Sequence, residues 1–404
     1  IDPESNFIIE EELDLADSSL KINNSTLSSK IGTGPIESIL DPETYYKELF
    51  VVINGIEWRP QNDIIAVAEK FNVGDGVSQL VLYDETLTTT LATNADRAGE
   101  RIANWDPYGR YIATCTNDGN KVVYLYDQAN GNILYVFYIM NNGDVDSFGI
   151  EFSPDGRFIA IPEIDAGAPT YLVNIYKFIP EETTKLELVD TISDDSKSAF
   201  WSPNGKYLGL INIDSDTLEI YRFNGSSATF VDSASSNVGT AVHTGRVWSP
   251  NNRHFAVTRT TEPYIEVYEF DGTTATLVAS DSTNIGVGVV WWSYDGKAIA
   301  VGANDGCLTV YSFDGSSLTP LEIGGSPSPV DLGQPIRNLA FSRDSEFIGL
   351  AKNVDGGSNL AEISLHKNMF STKQAITSFT STTSLGILKL NKSLKLKDIQ
   401  LNLG

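Results

Sequence analysis

The chain has 404 residues, of which 41% are hydrophobic and 20% charged, with 33 glycines; this describes a turn-rich globular protein and excludes a disordered or collagen-like one. Its 53 acids against 28 bases leave a formal net charge of -25, a field that repels nucleic-acid phosphate and the anionic face of a membrane. The chain carries no apolar run of the roughly 18 residues that a span needs. Neither nucleic-acid binding nor membrane insertion is therefore expected, and the acidity points to an exterior location.

Residues 1–49 hold 11 acids against 3 bases, with Glu10, Glu11 and Glu12 in one run and a Ser/Asn-rich stretch behind them. They are expected to form an acidic N-terminal arm, either a flexible leader or a segment that orders on a neighbouring subunit. The first residues lack the order of a signal peptide. Since the chain opens at Ile1 without an initiator Met, a leader removed before this point is expected.

From Trp58 onward one phrase returns seven times: an aromatic, a small or polar residue, often Pro, then Asn/Asp-Gly, a basic residue and an apolar run. Its copies begin at Trp58, Trp105, Phe152, Trp201, Trp248, Trp292 and Phe341, as in WDPYGRYIATC, FSPDGRFIAIP and WSPNGKYLGLI. Each copy reads as four short strands. A first strand enters a Pro and Asp/Asn-Gly turn, a second alternates, a third carries Tyr or Phe near its end, as in VNIYKF and IEVYEF, and a fourth is less regular. One such unit cannot bury both its faces, so units must stack, and a closed ring leaves no exposed end. Residues 50–387 are predicted to be a seven-bladed all-β propeller with four-stranded antiparallel blades. An open sandwich would not demand so regular a period.

Residues 388–404 alternate apolar and polar positions and carry Lys389, Lys392, Lys395 and Lys397 against a single Asp398. This C-terminal strand-like tail is expected either to close the ring on its first or last blade or to add to another molecule's sheet edge. Glu10, Glu11 and Glu12 in the head and the four tail lysines are the candidates for protein partners or self-association.

The phrase W-S-P-D-G-K-x-[IL]-A-V followed by I-x-V-Y-x-F-D-G resembles the WD40-like propeller repeats of the TolB and YVTN type, over about residues 50 to 385. It lacks the Gly-His and Trp-Asp pairs of true WD40 proteins. Stretches such as IEVYEFDGTTATLV and LTVYSFDGSSLTPL are also similar to repeats in bacteriophage virion proteins, which implies an exposed structural role.

Chemistry is sparse. The three histidines, His243, His254 and His366, fall in different repeats without metal-ligand spacing. His254 is expected in a turn, and His243 in a structural or surface role. Cys115 and Cys307 fall in different repeats, too far apart around a ring for a disulfide. No G-x-S-x-G elbow, Walker loop or dinucleotide fingerprint is present. The loops Asn212–Thr217 and Gly143–Phe148 alternate oxygen-bearing residues and give a weak calcium signal, so no cofactor is expected beyond that. Four residues before the repeat aromatic stand Asn54, Arg101, Phe148, Lys197, Thr244, Gly288 and Arg337. First strands line the channel of a propeller, which makes Arg101, Lys197 and Arg337 candidates for an anion site, unless Glu57, Glu100, Asp146 or Asp195 neutralises them.

The reading that follows is a non-catalytic structural or recognition module, exposed on a virion or in a secreted surface assembly, with no enzyme activity. Two alternatives stand beside it: a propeller lactonase or hydrolase with a metal in the channel, and a TolB-like periplasmic accessory protein.

Overall fold

The computed structural model describes residues 45–49, 52–61, 63–70, 78–94, 101–115, 122–129, 132–140, 150–164, 171–182, 186–212, 214–234, 238, 245–283, 288–323, 328–353 and 361–367, together with short strands near both ends. Contacts divide the chain into two units, Glu37–Ser371 and a smaller one made of Ile1–Ile36 with Thr372–Gly404.

The larger unit is an all-β propeller. Each repeat aromatic except Trp248 ends the innermost strand of its blade, and Trp58, Trp248, Trp292 and Phe341 are all at 2% exposure or less, a burial that contributes about 2–3 kcal/mol for each side chain. The turn after it is fixed by its own residues. Ser153, Ser202, Ser249, Ser293 and Ser342 are buried; each hydroxyl accepts the backbone N–H five residues on, at 2.9–3.0 Å. The residue closing the turn needs positive φ. Gly109, Gly156, Gly205 and Gly296 supply it at 67–72° at no steric cost. Asn252 and Ser345 take the same place with φ of 61° and 60°. Both hold the preceding blade's turn in exchange: Asn252 Oδ1 accepts Asn204 N at 2.6 Å and Ser345 Oγ accepts Tyr294 N at 2.9 Å.

Among the described residues of this unit six sheets have four or more strands, so six full blades stand where seven four-stranded ones were expected. Blade 1 runs Val52–Trp58, Ile64–Lys70, Ser78–Asp84 and Thr90–Asn94; blade 3 runs Glu151–Phe152, Phe158–Ile164, Tyr171–Phe178 and Leu186–Ser193; blade 4 runs Ser196–Trp201, Tyr207–Asn212, Thr217–Phe223 and Ala228–Ala234. The fifth repeat departs from the expectation of seven four-stranded blades. Its sheet has three strands, His254–Thr258, Ile265–Phe270 and Ala275–Asp281. Its inner strand touches that sheet only at the bridge between Trp248 and Phe255, while Gly245–Arg246 leans away and pairs in parallel with the inner strand Gly288–Trp292 of blade 6.

The ring closes with a segment that the sequence placed in the arm. Tyr45–Leu49 is the outer strand of the last blade, antiparallel to Ala361–Lys367 with Ala361 opposite Leu49. The side chain of Asn353 reinforces the closure: its Nδ2 donates to Ile53 O and its Oδ1 accepts Ile53 N, both at 2.9 Å and buried. The tail therefore does not close the ring. Gly386–Lys389, Leu394–Leu396 and Gln400–Asn402 pair instead with Ser19–Ile22, Leu13–Leu15 and Asn6–Ile8 of the head, with Lys389 opposite Ser19 and Lys395 opposite Asp14. Acidic head and basic tail thus meet within one chain. Glu10, Glu11, Glu12, Lys392 and Lys397 lie outside the described residues.

The innermost edge of a blade has no strand beyond it, so its backbone N–H groups need other acceptors. Between blades 1 and 4 side chains supply them. Glu57 Oε2 accepts Trp105 N at 3.0 Å, Asn104 Oδ1 accepts Phe152 N at 3.1 Å and Glu151 Oε2 accepts Trp201 N at 2.5 Å.

One expectation about a single residue changes. His254 is a buried strand residue, its ring 5.1 Å from that of Phe313, because it follows the turn instead of forming it. Cys115 ends a second strand and Cys307 opens a third one; Cys307 is free, and burial with the nearby Asp305 and Asp331 carboxylates raises its thiol to about 11.

Candidate functional site

The third strands carry a tyrosine in fixed register. Tyr83, Tyr176, Tyr221, Tyr268 and Tyr311 stand opposite the second-strand residue seven after the repeat aromatic. A phenol this far inside requires an acceptor, and a carboxylate provides it each time. Tyr83 donates to Glu69 at 2.7 Å, Tyr176 to Glu163 at 2.9 Å, Tyr221 to Glu219 at 3.2 Å, Tyr268 to Glu266 at 2.8 Å and Tyr311 to Asp281 at 3.3 Å.

Several blades set an opposite charge near this end. Lys47 lies over the Tyr83 ring at 4.5 Å and its charge acts on Glu69. Arg259 Nη1 binds Glu266 at 2.9 Å. In the last blade Lys352 pairs with Glu362, and His366 takes the tyrosine's place opposite Ile348, its Nε2 3.0 Å from Ser364 Oγ. Burial, helped by the Lys352 charge, lowers His366 to about 4.

Blade 4 breaks this pattern by placing carboxylate against carboxylate. Asp194 lies in the two-residue link between the outer strand of blade 3 and the inner strand of blade 4. Asn212 joins it to Glu219: its Nδ2 donates to Asp194 O at 2.7 Å and Asp194 Oδ1 at 2.9 Å, with Glu219 Oε1 at 3.5 Å. Asp194 Oδ2 is shielded from solvent and has no hydrogen-bond partner among the described residues. Partial burial, then the charge of Asp194 and a hydrogen bond to it, push Glu219 up to about 7, against the contrary pull of Tyr221. A like charge this close favours the protonated form of Glu219. Beside the pair, Asp195 adopts φ of 47° and its Oδ1 accepts Tyr171 N at 2.7 Å; Asp195 also raises the carboxyl of Asp214, by a hydrogen bond and by its charge. A half-buried carboxyl that titrates near neutrality, oriented by a phenol and an amide, is suited to proton transfer.

The expected anion site has a structural basis but not a described convergence. The inner strands of blades 1, 4 and 7 shift register at their start, between Ile53 and Gly55, Ser196 and Ala199, and Ile336 and Asn338. Asn54, Lys197 and Arg337 thus sit in bulges, which re-aim a side chain. Arg101 stands at a like shift in blade 2. Arg337 is exposed and its Nη1 donates to Asn304 Oδ1 at 3.2 Å; the side chains of Arg101 and Lys197 lie outside the described residues. Of the neutralising carboxylates considered for them, Glu57 and Asp195 accept the backbone N–H groups already given.

The donors fit a metal centre poorly. Among the described residues no three His, Cys, Asp or Glu side chains are placed to hold a metal ion. In the Asn212–Thr217 loop Asn212 Oδ1 is taken by Asp214 N at 3.0 Å and Ser215 N at 2.9 Å. The loop Gly143–Phe148 and His243 lie outside the described residues.

No family model matches the chain, and no curated protein matches it. Among solved structures it is similar to the periplasmic gluconolactonase of Pseudomonas aeruginosa, with a TM-score of 0.54 and 17% identity over 68% of this chain and 86% of that one. The likeness is one of fold. It nevertheless corrects the expectation of a non-catalytic, non-enzymatic virion or surface module, since the propeller it matches is a lactonase and nothing in the comparisons supports a virion role.

Proposed function

We propose that the chain is a propeller hydrolase that opens a lactone, with Glu219 as its proton-transfer group and Asp194 as the residue that tunes it. The observation that carries this reading is the carboxylate pair of blade 4, joined through Asn212, where other blades set a cation or a neutral partner near the carboxylate. Likeness of fold to a gluconolactonase supports the reaction class and does not by itself establish it.

In this scheme the ionised form of Glu219 takes a proton from water as the water oxygen bonds to the lactone carbonyl carbon. The tetrahedral intermediate then collapses, the bond from that carbon to the ring oxygen breaks, and the Glu219 carboxyl returns the proton to the departing oxygen. The product is an open-chain hydroxy acid. Asn212 and Tyr221 orient the carboxyl, and burial with the nearness of Asp194 keeps its proton affinity close to the working pH. No step is routed through a metal ion, because the described donors do not fit one. Arg101, Lys197 and Arg337, at the start of inner strands at this end of the blades, suit the carboxylate that hydrolysis creates. An exported location agrees with the periplasmic neighbour and with the acidic composition.

The test is turnover of glucono-δ-lactone above its uncatalysed rate, followed by acid release. Glu219→Gln, which keeps the shape and removes the basic oxygen, is expected to lower kcat by about 10²–10⁴. Wild-type turnover that Glu219→Gln leaves intact, or no wild-type turnover, overturns the proposal.

A further inference from the structure

We infer that Phe230 forms the platform of a sugar-ring subsite next to the blade 4 carboxylate pair, so that the substrate is a cyclic polyol lactone and not a simple aliphatic one. This rests on the hydrolase reading and adds the substrate class to it.

The inference starts from the outer strands. The residue opposite the blade tyrosine is Leu188 in blade 3, Phe230 in blade 4, Leu277 in blade 5 and Pro320 in blade 6. The first three are large apolar side chains left 54%, 51% and 48% exposed. A single exposed leucine on an outer strand calls for no special account. Blade 2 also has an aromatic there, Tyr135 opposite Tyr126, but blade 4, with Phe230, is the one that sets carboxylate against carboxylate. The exposed aromatic and the carboxylate pair thus fall on one blade and are linked through Tyr221. The Phe230 ring lies 5.6 Å from that of Tyr221 at 78°, and the Tyr221 hydroxyl lies 3.2 Å from Glu219 Oε2. Glu219 and Tyr221, two residues apart on one strand, share a face, and Tyr221 on that face packs into the core that blade 4 shares with blade 3.

The geometry suits a saturated ring. An edge-to-face contact with Tyr221 uses one side of the phenyl group and fixes its orientation, while half of the side chain remains open to solvent. A pyranose-derived lactone presents carbon-bound hydrogens on one face and hydroxyls at its rim. The face packs on Phe230, and the rim reaches the polar groups beyond it, where Ser233 stands opposite Glu219 and Asn212 opposite Thr217. Such an anchor acts on binding and leaves the proton transfer to Glu219, so its loss raises KM with little change in kcat.

Two substrates and two variants separate the possibilities. Phe230→Ala is expected to raise KM for glucono-δ-lactone about tenfold, to leave kcat within about twofold, and to leave δ-valerolactone, which has no hydroxyl rim, unchanged; Phe230→Trp keeps wild-type KM. If Phe230→Ala leaves KM for glucono-δ-lactone unchanged while Glu219→Gln abolishes turnover, the subsite is wrong and the hydrolase reading survives. If the wild type does not turn over lactones, saturation-transfer NMR with gluconolactam, the ring-amide analogue, decides the subsite alone. Transfer lost in Phe230→Ala supports it, and transfer that is absent or equal in both proteins overturns it.

Discussion

His366 stands where six other blades carry a tyrosine, and it exchanges a phenol that needs an acceptor for an imidazole kept neutral. Its folded value of about 4 lies below the ordinary 6.5. Between these values the unfolded chain binds the extra proton and the folded chain does not, so stability is full above pH 6.5 and falls as pH drops toward 4. The loss at the acid end is up to about 3 kcal/mol. His366→Phe removes the titration. Urea unfolding of wild type and variant between pH 7.5 and 4.5 is expected to show a steeper acid loss in the wild type, and equal slopes would contradict this account. The substitution was visible in the sequence only in part. The third strand of the last repeat was recognised, but placing His366 on the tyrosine position requires the pairing of Ile348 with it, which a phrase repeat does not supply. The carboxylate pair was hidden for the same reason. Asp194 and Glu219 are brought together by the link before one strand and the register of another, and the one signal of it in the sequence was the Asp194–Asp195 run ahead of the fourth repeat.

Among the elements, the turns were the most legible because their residues act locally. Pro, Asn/Asp and Gly mark them, and even the repeats without Gly keep the backbone shape through Asn252 and Ser345. Closure of the ring was not legible, since YYKEL carries no trace of the repeat phrase and its role depends on a partner strand more than 300 residues away. The element that was missed gives a sharp test. A chain starting at residue 37 keeps Tyr45–Leu49 and is expected to hold its propeller, whereas one starting at residue 51 exposes the edge of Ala361–Lys367 and should melt at a clearly lower temperature. Equal melting of the two would show that this strand does not close the ring. Asn353→Ala leaves the buried N–H and C=O of Ile53 without their partners, a loss of about 2–3 kcal/mol that calorimetry can measure. The divided inner strand of the fifth repeat was equally out of reach. Its Trp-Ser-Pro phrase is intact, and the parallel pairing with blade 6 depends on which of two edges the strand meets.

For the molecule as a whole, the repeat determined the fold class, while the proposed function rests on where the repeat is broken. Each blade must satisfy the same buried phenol and the same free inner edge, and side chains at equivalent positions do so with small variations. Blade 4 sets two carboxylates where its neighbours set a cation or a neutral partner, and adds an exposed aromatic beside them. The acidic composition shaped the expectation of an inert exterior module, because net charge describes solubility and partners but not the distribution of charge within a blade. The central claim is that burial, together with the Asp194 charge, raises Glu219 to a working proton-transfer group. The measurement that tests it most directly is the pH dependence of kcat/KM for glucono-δ-lactone in the wild type and in Asp194→Asn. The account gives a wild-type activity that rises with pH through about 7, and a limb displaced to lower pH once the neighbouring charge is removed. A limb that stays in place in Asp194→Asn would contradict it.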